Sequence, residues 1–154
     1  MNHSTERQIA AFLAKYTPEI AASLQACRTK LHALFPRGYE LVYDNYNALV
    51  FGFAPSERTS EAVLSIAGYP RWLTLFFLKG TTLDDPEALL QGGGAQVRGI
   101  QLGSPEDIDK PAVRALIDQA RKPIEAELAA APPLSSIVKS VSAKQRPRRP
   151  RKQK

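Results

Sequence analysis

Only one cysteine, Cys27, occurs in the chain, so no intrachain disulfide can form. The two histidines, His3 and His32, are far apart, and neither has a close second ligand. Structural zinc sites draw on cysteine and histidine, so this composition argues against one. Long apolar stretches are also missing. The longest is "LTLFFL", far short of the roughly 20 residues that a membrane-spanning helix needs. The opening "MNHSTERQIAAFLAKY" has no basic segment followed by an apolar one, which argues against a secretory leader. A cytoplasmic protein with no membrane partner is the expectation. Finally, residues 139 to 154 contain no acidic side chain at all.

That last absence explains the charge. The 154-residue chain has a net charge of +6. Residues 1 to 138 carry 13 Lys and Arg against 15 Asp and Glu, a net of −2, while residues 139 to 154 carry 8 basic residues. The basic character therefore belongs to the C-terminal segment and not to the preceding domain. The length suits one domain, and a domain of this size hides roughly 70% of the surface its unfolded chain exposes.

The hydrophobic pattern predicts an α+β fold. Ser4 is placed to cap a first helix with Ile9, Phe12 and Leu13 on its apolar face. Thr17, Pro18 and Glu19 open a second, with Ile20, Leu24, Cys27, Leu31 and Leu34 at helical spacing and Pro36 and Gly38 at its end. "YELVYDNYNALVFGF" reads as one long or kinked strand from Glu40 to Phe53, and "EAVLSIAGY" and "WLTLFFLK" as two more, joined by a tight turn at Pro70 and Arg71. "VRGIQL" is a fourth strand. A last helix begins near "SPEDIDKPAV", at Ser104 or at Asp109, and Pro123 is expected to kink or split it. The whole is a four-stranded antiparallel sheet covered on one face by N- and C-terminal helices. The domain spans residues 1 to 133. Residues 134 to 154, poor in large apolar side chains, are expected to be a basic disordered tail, with Ile137 and Val138 the residues able to dock.

Three glycines, Gly92, Gly93 and Gly94, precede Arg98. A phosphate-binding P-loop needs a following Gly-Lys-Ser/Thr, but Ala95 and Gln96 come after Gly94. A dinucleotide fingerprint needs a third glycine where Val97 stands and a helix where a strand follows. The glycines instead end a turn formed by Leu89 and Leu90 and return the chain to the sheet. Arg98 shares a strand face with Ile100 and Leu102. It either clamps its own loop, with Asp84 and Asp85 the nearest carboxylates, or receives an anionic ligand.

Other side chains carry open alternatives. Asp84, Asp85 and Glu87, and separately Glu106, Asp107 and Asp109, are oxygen donors suited to a hard cation; they also sit where helix starts want acids. Tyr43, Asp44, Asn45, Tyr46 and Asn47 form a polar-aromatic patch that either lines a pocket or decorates a sheet face. Cys27 lies on an apolar helix stripe and reads as core. The tail residues Lys144, Arg146, Arg148, Arg149, Arg151 and Lys152 can neutralise phosphates, though the tail itself has no aromatic side chain for base stacking. No Ser-His-Asp set, histidine pair or nucleotide loop emerges, which argues against an enzyme.

The segments "ELVYDNYNALVFGF", "WLTLFFLKGTTLDDP", "LLQGGG" and "VRGIQL" together resemble the YdhG-like family of small bacterial domains, over residues 9 to 128. The resemblance implies a frataxin-like fold, a small antiparallel sheet covered by terminal helices. One branch of that family is associated with an intracellular iron chaperone, so the resemblance also implies iron delivery to acceptor proteins. On this reading Fe(II) would be held by Asp84, Asp85, Glu87, Glu106, Asp107 and Asp109. The alternatives are nucleic-acid association through the basic tail, and an anionic small-molecule site at Arg98 with Tyr43 and Tyr46.

Overall fold

The computed structural model describes residues 3 to 150. Helix α1 (His3–Leu13) buries Ile9 and Phe12, and Ser4 lies inside it rather than capping it. Helix α2 (Pro18–Leu34) starts as its sequence predicts: the Thr17 hydroxyl accepts a hydrogen bond from the Ile20 amide, and Pro18 takes the first helical position. Leu24, Cys27 and Leu31 form its buried stripe. Burial pushes the Cys27 thiol up to about 12, so it is a core side chain and not a nucleophile.

The stretch expected as one strand is a hairpin. Strands β1 (Tyr39–Asp44) and β2 (Leu49–Ala54) are joined by a turn in which the Asn45 amide donates to the Ala48 carbonyl at 2.9 Å. Two asparagines and an aspartate at that point favour a turn over a continuous strand. Strands β3 (Leu64–Gly68) and β4 (Leu73–Phe77) are joined by the predicted tight turn, closed by the Tyr69 amide donating to the Trp72 carbonyl at 2.9 Å. Strand β5 (Arg98–Leu102) follows a long excursion. Helix α3 (Pro111–Arg121) is preceded by a 3-10 turn over Pro105–Asp109, so both expected helix starts are used. Pro123 splits the last helix: a 3-10 turn over Lys122–Ile124 separates α3 from α4 (Glu125–Ala130).

The larger correction lies at the C-terminal end. Residues expected to be disordered form strand β6 (Ser135–Val141), which pairs with β1 in parallel. The sheet is therefore mixed and six-stranded, in the order β5-β4-β3-β2-β1-β6, with every other neighbouring pair antiparallel. Ile137 lies opposite Leu41, and Val138 opposite Val42. The ladder supplies partners for the backbone of a segment too poor in apolar side chains to pack alone.

One face of the sheet makes the core. In register across it lie Val42, Phe51, Ile66 and Leu75, and beside them Leu49, Phe53, Leu64 and Phe77, all fully buried. They pack with α1, α2 and Val113, Leu116 and Ile117 of α3 in one cluster. Burial of each such side chain is worth roughly 1.5–3 kcal/mol.

Two carboxylates, Glu40 and Asp44, share this apolar face of β1 and are fully buried. Glu40 is met by Arg28 of α2 through two hydrogen bonds of 2.9 and 2.6 Å, by the His32 ring at 3.0 Å and by the Ser136 hydroxyl at 2.6 Å. Burial alone would raise its carboxyl. The bonds from Arg28 and His32 outweigh that and hold it at about 2. Because the folded value lies below the ordinary 4.5, the stability this group contributes is fully present above that pH and is lost as pH falls toward 2. Glu40→Gln should cost about 3–5 kcal/mol in urea denaturation at neutral pH, since it strands Arg28 without a counter-charge. The variant should also lose less stability than the parent between pH 5 and 2. Equal stability and an unchanged acid limb would contradict this account of the core.

Candidate functional site

The acidic residues do not assemble a metal site. The Asp85 carboxylate accepts from the backbone amides of Leu89 at 3.0 Å and Leu90 at 2.8 Å, closing its own turn. Asp84 is held through its backbone by Gln119, and Glu87 is exposed beside it. Asp107 accepts from the Gly103 amide at 2.7 Å and pairs with Lys110; the Gly103 bond, then Lys110, lowers its carboxyl. Asp109 is paired with Lys30 and Arg114, and Glu106 is exposed next to Asp107. Among the described residues no group of three or more His, Cys, Asp or Glu is placed to hold a metal ion. Of the six expected Fe(II) donors, Asp85, Asp107 and Asp109 are engaged in turns and ion pairs, while Asp84, Glu87 and Glu106 are exposed.

Arg98 serves its own loop. Its Nη1 donates to the Gly94 carbonyl at 2.7 Å and the Val97 carbonyl at 2.8 Å, and not to Asp84 or Asp85. Gln91 and Gly99 exchange two backbone hydrogen bonds of 2.9 Å, closing the loop between them. Gly92 makes the reversal at φ +137°, a conformation L side chains rarely adopt. The three glycines thus form a turn back into the sheet and no phosphate cradle. Tyr43 lies on β1, with three strands between it and β5, and its hydroxyl contacts the Thr59 hydroxyl. Tyr46 lies in the β1–β2 turn. Arg98, Tyr43 and Tyr46 therefore do not converge on one ligand site.

The basic segment does converge on something. After β6 the chain stays docked: the Ser142 amide donates to the Asp44 carbonyl and the Arg146 amide to the Tyr46 carbonyl, both at 2.8 Å. Arg148 is buried, and its Nη2 donates to Asp44 Oδ1 at 2.9 Å. The same nitrogen reaches the Asn45 carbonyl, and Nη1 the Tyr46 carbonyl. Lys15, in the turn just after α1, donates to Asp44 Oδ2 at 2.6 Å. Gln145 joins Lys15 to the Asp44 carbonyl. Burial would raise the Asp44 carboxyl, but the Lys15, Arg148 and Gln145 bonds prevail and lower it. Arg149 donates to the carbonyls of Lys15 and Ala14 near the end of α1, where a cation complements the helix dipole. Arg151 and Lys152 lie outside the described residues.

This docking builds a groove of about 610 Å³ between the arm and the β3–β4 turn, lined by Asn47, Tyr69, Arg71, Trp72, Arg146 and Arg149, with prolines 70, 147 and 150. It holds three arginines and no acid. The Tyr69 and Trp72 rings stack, centroids 5.0 Å apart at 20°, and Trp72 is 39% exposed. Beside the groove, the Arg146 guanidinium lies 5.6 Å from the centre of the Tyr46 ring, which is 48% exposed. Comparison with family models, curated proteins and solved structures finds no match to this chain.

Tyr69 and Trp72 are the residues that sequence reasoning missed. The signal was present, since the chain's single tryptophan stands beside a Pro-Arg turn, but nothing local brings residues 146 to 150 against it. Among the described residues no helix is long and apolar enough to cross a membrane.

The Asp44 pairing makes a definite prediction. Because the folded carboxyl is depressed, the support it gives arm docking is fully present above the ordinary carboxylate value and is lost as pH falls below it, through the lowered folded value. Asp44→Asn should release the arm at neutral pH, so that trypsin cuts after Lys139, Lys144 and Arg148 about tenfold faster or more. Cleavage at the parent rate would show that the ion pair does not hold the arm.

Proposed function

We propose that this protein binds nucleic acid through its docked C-terminal arm. One observation carries the reading: Arg148 is spent internally on Asp44, and this fixes Arg146 and Arg149 beside Arg71 around an acid-free groove. A flexible basic tail attracts phosphates from many directions. A held row of guanidinium groups presents them at set positions, so less ordering entropy is lost on binding. Lys144 is exposed on the same segment and adds to the positive field.

Relationship to the YdhG-like family stays part of the proposal and rests on the quoted segments alone. Iron delivery is not carried further, because Asp85, Asp107 and Asp109 have protein partners and no group of three or more such ligands forms among the described residues.

Electrostatic binding of this kind releases counterions, so affinity falls linearly on a log–log plot against salt. Full-length protein should bind an oligonucleotide with a steep salt dependence by fluorescence anisotropy. Replacing Arg71, Arg146 and Arg149 by Gln should weaken binding and flatten the slope by about 2, at roughly 0.7 per phosphate contact for a single strand. No binding at low salt, or an unchanged slope in the triple variant, would refute the reading.

A further inference from the structure

The groove has a second property that phosphate contacts do not require. Its floor is aromatic. Tyr69 and Trp72 are stacked on each other within one tight turn, hydrogen-bonded from the Tyr69 amide to the Trp72 carbonyl. Tyr69 is partly buried, so the pair is braced from the protein side, while Trp72 presents 39% of its surface to solvent. Trp72 thus shares the groove lining with Arg71, Arg146 and Arg149 and keeps surface open to a flat partner.

We infer that the groove takes single-stranded nucleic acid, with a base stacked on Trp72 and its flanking phosphates on Arg71, Arg146 and Arg149. The inference rests on the nucleic-acid reading above and names the form of nucleic acid. Three considerations select it. A duplex keeps its base faces covered by neighbouring pairs, so only an unpaired base has a face free to meet the indole. The spacing of a cationic rim around an aromatic floor is the combination that single-strand binders use, and stacking tolerates any base. The volume of about 610 Å³ admits one or two nucleotides and not a double helix, whose grooves would instead have to receive a protruding element. A purely acidic peptide would satisfy the arginines but, without aromatic side chains, would supply no ring for Trp72. The arm itself lacks aromatic residues, and the β3–β4 turn provides them. Asn47, from the β1–β2 turn, brings an amide able to donate to and accept from a base edge.

Trp72 is the only tryptophan, so its fluorescence reports on this site alone. The test titrates the full-length protein at low fixed salt with four probes: oligothymidylate of about 10 nucleotides, an abasic sugar-phosphate strand of equal length, a duplex, and polyglutamate. Oligothymidylate should quench the tryptophan and bind about tenfold tighter than the abasic strand. Trp72→Ala should erase that difference while leaving abasic-strand affinity within about twofold, and Trp72→Phe should restore part of it. Equal affinity for the abasic strand, without quenching, would overturn the stacking inference and leave the electrostatic reading standing. Tighter binding to the duplex, or to polyglutamate, would also overturn it. Failure to bind any nucleic-acid probe would overturn both readings. The comparison of probes on the parent protein stands whether or not the Trp72 variants fold.

Discussion

A carboxylate cannot stay ionised in an apolar interior without partners, and Asp44 is ionised and fully buried. Its two oxygens are taken by Lys15 from the turn just after α1 and by Arg148 from the far end of the chain. These partners are more than a hundred residues apart in sequence, and Asp44 is where they meet. The arm's course follows from that meeting. Arg148 reaches Asp44 only if residues 142 to 147 cross the β1–β2 turn, which places Arg146 against Tyr46 and brings Pro147, Arg149 and Pro150 beside Trp72. The groove is thus a by-product of satisfying one charge.

Glu40 solves the same problem four residues earlier on the same face. It draws Arg28 from α2, whose guanidinium also lies 4.4 Å from the Phe51 ring centre, and Ser136 from β6. Both ends of β1 therefore recruit a partner from the C-terminal segment. This gives β6 its place at the sheet edge although its own side chains are only partly buried. Ion pairs of this kind contribute little net stability compared with apolar replacements, yet breaking one is costly. Their effect here is to select one arrangement of chain ends.

The elements written in local chemistry were legible in the sequence. Thr17-Pro18 announced α2, Pro70-Arg71 the β3–β4 turn, and Pro123 the break between α3 and α4. The hairpin at residues 45 to 48 was legible too, in Asp44, Asn45 and Asn47, but the Tyr, Val and Phe around it read more strongly as strand. What was not legible was β6. Its sequence has weak apolar content and a basic, proline-broken continuation, and its order depends on Glu40 and Asp44, whose burial no local pattern discloses. The same blindness hid the groove, since the aromatic pair and Arg71 come from one turn and Arg146 and Arg149 from a segment some 75 residues further on. The acidic clusters misled for the opposite reason: Asp85 and Asp107 looked like metal donors because residues that close turns on backbone amides have the same chemistry.

The groove exists only while the arm is held in the intact protein. Hydrogen exchange at neutral pH, read residue by residue, measures this directly. The amides of Ser142 and Arg146, which donate to the Asp44 and Tyr46 carbonyls, should be protected to a degree comparable with β1 itself. Exchange of those two amides at the rate of an unstructured chain, with β1 protected, would show that the arm is not held.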